Sequence, residues 1–100
     1  MTVTMIRVKR SSDSIATDLK RLGFKQINVI SFCYGDAMAV THGNFGTRDS
    51  TDLIVSNERD ANLLIGIFQR NGLYISHHVA DNKASGDFIT SERGKCELVK

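Results

Sequence analysis

The side chains of this 100-residue chain that could do chemistry are few: Cys33, Cys96, His42, His77 and His78. A cysteine becomes a nucleophile when an adjacent base takes its proton, so Cys33 with His77 or His42 is the pair to consider. No third group that would orient the base stands in a recognisable pattern, and an enzyme is therefore the weakest reading. His77 and His78 are neighbours in a stretch that reads as a strand. They point to opposite faces and cannot chelate one metal together. His77 shares its face with Ile75 and Val79, which predicts a hydrogen-bonded core histidine. Cys33 and Cys96 are not in a C-x-x-C arrangement, and two such ligands make no structural zinc site unless histidines complete it. Their default reading is two ordinary thiols in a reducing compartment. A disulfide pinning the last strand to the second is compatible with the sequence but not deducible from it. No metal and no cofactor is expected.

The stretch from His42 to Ser50 is polar and contains Gly43-Asn44-Phe45-Gly46-Thr47. A phosphate-binding loop would need a lysine after its last glycine, and Thr47 stands there instead. It reads as a connection or a mobile contact loop.

Charge points to binding. The net charge is only +2, but residues 1–25 carry six bases, Arg7, Lys9, Arg10, Lys20, Arg21 and Lys25, against two acids, Asp13 and Asp18. The remainder is net acidic, so the sequence implies a local basic surface on an otherwise balanced protein. With 41% hydrophobic and 24% charged residues the chain has ordinary globular composition and enough length for one core, giving a single α+β domain over residues 1–100. Its longest apolar stretch, around Ala61 to Phe68, is too short to span a bilayer, and Met1 to Arg10 lacks a signal-peptide core. An intracellular, cytoplasmic protein without membrane contact is expected.

The elements that must position these residues follow from periodicity. Thr2 to Lys9 alternates as a strand. Ser11-Ser12-Asp13 offers N-cap oxygens to a helix carrying Ile15, Ala16, Leu19 and Leu22, which Gly23 ends. Ile27 to Tyr34 reads as a second strand, and Ala37 to His42 as its return across Gly35-Asp36. The pattern then recurs: a strand over Asp52 to Val55, a cap at Ser56-Asn57, a helix over Glu58 to Arg70, and a strand over Leu73 to Ala80. Asp81 to Gly86 reads as a turn and Asp87 to Val99 as a last strand. Both helices end alike, in Arg21-Leu22-Gly23-Phe24 and Arg70-Asn71-Gly72-Leu73. Two strand–helix–strand units with right-handed crossovers place both helices on one face of a mainly antiparallel sheet of five to six strands. The expected fold is a ferredoxin-like or related split βαβ sandwich.

If Ile6, Val8, Ile27 and Val29 face those helices, the opposite sheet face carries Arg7, Lys9, Ile30, Phe32, Tyr34 and Tyr74. Aromatics beside bases suit a protein interface, and they also suit base stacking with phosphate neutralisation. Extra strands or a second copy covering them as core is the third option. Asp52-Leu53-Ile54-Val55 has no aromatic, so no RNA-recognition signature supports the nucleic-acid version. Lys20 and Arg21 could track phosphates, or merely complement the helix dipole. The order of elements, with Leu22-Gly23-Phe24 closing the first helix, resembles the DNA-binding domain of tailed-phage middle-promoter activators. That resemblance implies topology alone. Partner-binding residues are thus expected at Arg7, Lys9, Phe32, Tyr34, Tyr74, Lys20 and Arg21. The expected function is a non-enzymatic regulator or inhibitor that binds a protein, with nucleic acid as the alternative and a homodimer compatible with either. Small size and the absence of proline suit a phage or mobile-element accessory protein.

Overall fold

The computed structural model describes residues 2–41 and 49–99. The first strand, β1 (Thr2–Val8), leads into α1 (Ile15–Arg21). Three strands follow, β2 (Lys25–Gln26), β3 (Ser31–Tyr34) and β4 (Ala37–Thr41), and then β5 (Thr51–Val55). The chain continues through α2 (Glu58–Arg70), β6 (Tyr74–Asp81) and α3 (Lys83–Glu92), and ends in a 3₁₀ segment, Arg93–Val99. The strands form one six-stranded sheet in the order β2-β3-β4-β5-β1-β6, with every pairing antiparallel. The protein is therefore α+β. No helix among the described residues is long and apolar enough to cross a membrane.

Both helix endings behave as their shared pattern predicts. After α1 the Gly23 N–H donates to the Lys20 carbonyl and the Phe24 N–H to the Leu19 carbonyl, at 3.1 and 3.0 Å. After α2 the Gly72 N–H reaches Gln69 and the Leu73 N–H reaches Phe68, at 3.2 and 2.9 Å. Both are Schellman caps with a left-handed glycine, φ 106° and 70°. Each throws a buried apolar residue, Phe24 or Leu73, back under its helix. At the other end of α2, Asn57 Oδ1 accepts the Asp60 N–H at 2.8 Å, an N-cap.

The two faces of the sheet are both covered. On one, α1 and α2 bury Ile15, Leu19, Leu64 and Phe68 against Ile6, Val8, Phe32, Leu53 and Val55. On the other, α3 and the 3₁₀ segment bury Ile89 and Cys96 against Val3, Cys33, Met38, Val40 and Ile54.

Three expectations are corrected. Residues 87–99 form no strand: Asn82 caps α3 by accepting the Ser85 N–H at 3.0 Å, and the helix lies on apolar sheet surface that would otherwise be wet. The apolar run from Ile27 to Tyr34 is not one strand either. Asn28 Oδ1 accepts the N–H groups of Ile30 and Ser31, at 3.0 and 2.9 Å, and this side-chain turn reverses the chain. Lys25 then pairs with Cys33 and Gln26 with Phe32. The reversal resets the alternation, so Phe32 and Tyr34 point toward α1 and α2, whereas Val29 is 86% exposed and Ile27 packs on the opposite cluster. Finally, Cys33 and Cys96 are not free thiols. They form a disulfide with 5.5 Å between Cα atoms, tying the 3₁₀ segment to β3.

Candidate functional site

β6 closes one side of the sheet. Its inner edge pairs with β1 from Thr2↔Asp81 to Ile6↔His77, with a slip in register opposite Arg7 and Val8. Among the described residues nothing pairs with its outer edge. Along an outermost strand, alternate N–H and C=O groups face outward and can hydrogen-bond a further strand. The side chains from Ile75 to Val79 are all exposed, with Ile75 at 46% and Val79 at 66%. From Tyr74 to Ala80 the strand carries no Asp, Glu, Lys, Arg, Pro or Gly.

Beside this edge, between β6 and the start of α2, runs a groove of about 310 Å³. Thr4, Ala61, Asn62 and Ile65 form one side, and His77 and Val79 the other. The Tyr74 hydroxyl and His77 Nδ1 lie 2.6 Å apart, so the two aromatic residues hold one another. His77 is thus an exposed groove residue and not the core histidine expected, because an edge strand has neighbours on only one side. His78 faces the other way, into an 80 Å³ recess with Met5, Arg7, Asp52 and Ser76. There Arg7 grips the buried Asp52 carboxylate through Nε at 2.8 Å and Nη2 at 3.2 Å. The hydrogen bond first, and the charge of Asp52 second, raise the Arg7 pKa above its usual value.

The expected aromatic and basic sheet face does not exist as a unit. Phe32, at 1% exposure, is core, because the turn at Asn28 inverts its strand's alternation. Tyr34 is half-buried against Phe24, ring centroids 5.1 Å apart, and Tyr74 packs on the same α1 and α2 side. Arg7 is on the opposite face, paired with Asp52. Lys9 lies just beyond β1, its N–H donating to the Leu73 carbonyl at 2.7 Å. Lys20 and Arg21 are exposed on α1, and Asp18 pairs with both Arg21, at 3.2 Å, and Arg10, at 2.9 Å. Of the seven expected residues only Tyr74 belongs to the edge strand, and none lines the groove. Ile75, His77 and Val79 were legible as a strand face, but that the strand has no outer neighbour was not.

The Cys33–His77 pair is not assembled. Cys33 is bridged under α3, while His77 is on the α2 side of β6. His42 and the stretch Gly43–Thr47 lie outside the described residues. No group of three His, Cys, Asp or Glu side chains that could hold a metal ion occurs among the described residues. A cavity of about 720 Å³ opens between the start of α2 and the 3₁₀ segment and is lined by Asp36, Asn57, Arg59, Arg93 and Glu97, among others. Both arginines are held by the buried Asp60, at 3.2 and 3.3 Å, which also accepts from Asn57 Nδ2 at 3.1 Å. The hydrogen bond to Asp60, then the charge of Asp36, raise the Arg59 pKa. This cluster locks the 3₁₀ segment to α2; with Asp36 and Glu97 at its rim it is not an anion site.

No family model, no curated protein and no solved structure matches the chain.

Proposed function

We propose that this chain is a small non-enzymatic regulator or inhibitor that acts by binding another protein, and that an extended segment adds to the outer edge of β6. The supporting observation is the edge itself: eight residues long, uncharged from Tyr74 to Ala80, with Ile75 and Val79 exposed and a groove beside it. In strand addition the main-chain hydrogen bonds supply affinity, and pockets for alternate side chains supply selectivity. The groove between β6 and α2 is placed to take such side chains. Nucleic-acid binding ranks second, because Asp52 and Asp18 already pair with Arg7, Arg10 and Arg21. The strand order β4-β5-β1-β6, with α2 joining the two neighbours of β1, supports a relation to the ferredoxin-like split βαβ sandwich, enlarged by the β2–β3 hairpin and by α3. A cytoplasmic setting belongs to the proposal only if the fold holds with Cys33 and Cys96 reduced.

The test is affinity capture from host extract, with and without nuclease treatment, using the wild-type chain and the double variant Ile75→Lys/Val79→Lys. A protein held by the wild type should be lost with the variant and retained by Lys20→Glu/Arg21→Glu. Capture that ignores the β6 changes refutes the reading; capture abolished by nuclease transfers support to nucleic acid.

A further inference from the structure

We infer that the polypeptide added to β6 is a second copy of this chain, paired antiparallel about a two-fold axis through His77. The inference rests on the strand-addition reading above and names its occupant. A two-fold axis perpendicular to the sheet keeps each side chain on its own face, so each residue must lie opposite one of the same face. Centred on His77, this register sets Ile75 against Val79 of the other copy and Ser76 against His78. Symmetry repeats each pair. The two exposed apolar residues of the strand therefore cover one another twice, on either side of the paired His77 rings. Centred instead on His78, the strand would set Ile75 against Asp81 and Val79 against His77, putting an apolar side chain opposite a charge. Of these two registers, the one centred on His77 is self-complementary.

Charge agrees. Edge strands that must stay single usually carry lysine, proline or inward-pointing charge, and like charges directly opposite destabilise a pair. From Tyr74 to Ala80 there is no formal charge to oppose its own copy, and Asp81 falls opposite Leu73. The overlap is also sufficient in length. Tyr74 to Ala80 overlap, seven residues at roughly 3.4 Å each or about 24 Å of edge, and joining the copies makes one continuous sheet with both α2 helices on the same side. The slip opposite Arg7 and Val8 skips Ile75, so Ser76 to His78 is regular on both copies around the axis and the Ile75–Val79 pairs flank it.

Sedimentation of the full chain, with its Cys33–Cys96 bridge intact, should show a concentration-dependent dimer. Val79→Lys, at a position two-thirds exposed in the single chain, should weaken the dimer at least ~10-fold without altering the circular dichroism. Val29→Lys, more exposed still but on the opposite side of the sheet from β6, should not. Register is read by cross-linking. His77→Cys places two thiols on residues whose Cα atoms are roughly 4.5–5.5 Å apart, within disulfide reach, and should give a covalent dimer on mild oxidation. Val79→Cys alone should not, whereas a mixture of Ile75→Cys and Val79→Cys chains should. A wild type that stays monomeric at every concentration overturns self-pairing, as does a dimer indifferent to Val79→Lys or one that cross-links through position 79 but not 77. A monomeric wild type whose capture of another protein is still lost with Ile75→Lys/Val79→Lys would remove the second copy and leave the strand-addition reading standing.

Discussion

Reducing the bridge between Cys33 and Cys96 should cost this protein a large part of its stability. The bridge spans 63 residues of sequence. In the chain-entropy account a closed loop of that length restricts the denatured state by about 4 kcal/mol, against a total of roughly 5–15 kcal/mol for a domain. What the bridge holds has few other anchors. The ten residues of α3 bury Ile89 fully and Phe88 in part, and the 3₁₀ segment adds the Arg93–Asp60 contact. Burying one isoleucine contributes roughly 1.5–3 kcal/mol, while ordering each residue costs roughly 1–2 kcal/mol, and a helix this short is marginal alone. Urea unfolding followed by circular dichroism, with and without a phosphine reductant, measures the difference. With a slope of about 1.5 kcal/mol per M, the midpoint should fall by roughly 2–3 M in the reduced protein. Exposure of Met38, Val40 and Ile54 beneath an undocked α3 should also raise binding of an apolar dye. A shift below about 1 kcal/mol would refute the reasoning: α3 and the 3₁₀ segment would then be held by packing, with the bridge an accessory.

The other predictions concern positions where local sequence and tertiary structure disagree or agree sharply. Phe32→Ala should destabilise by about 3–5 kcal/mol in the same urea assay, because Phe32 fills the core beneath α1 and α2; a loss under about 1 kcal/mol would return it to the surface. Gly72→Ala forces a side chain into a left-handed conformation at φ 70° and should cost about 1–2 kcal/mol. Open space surrounds that position, so an effect near zero would show that the Schellman cap relaxes at no cost.

The parts of this fold that could be read in advance are those decided within a few residues. The limits of α2 follow from Asn57 at one end and Asn71-Gly72-Leu73 at the other, and the structure keeps them. The likeness between Arg21-Leu22-Gly23-Phe24 and Arg70-Asn71-Gly72-Leu73 translates into two caps with the same hydrogen-bond pattern for the same reason. Elsewhere distant partners decide. Phe88 and Ile89 become a helix because the second sheet face needs a cover, which no local pattern announces. One side-chain turn at Asn28 inverts the alternation of everything after it, so a single misread polar residue sent Phe32 and Tyr34 to the wrong face. The site was half legible: Ile75, His77 and Val79 share a face by alternation alone. That nothing lies beyond them is a property of strand order.

The two edges of the sheet sharpen that point. At one, β2 is two residues long and includes Lys25, so shortness and charge both discourage further pairing. At the other, β6 runs for eight residues with neither proline nor charge before Asp81. Its one blunting device is the register slip at the Tyr74 end, which leaves the stretch bearing His77, His78 and Val79 straight. A sheet protected on one side only is asymmetric in a way that core packing does not require. Val79, two-thirds exposed, contributes little to the monomer's interior, and a polar residue there would cost the isolated chain little. Its presence on an open edge makes sense when a strand covers that edge in the working protein. The strength of the inference comes from the contrast within one sheet, where the same chain blunts β2 and leaves β6 able to pair.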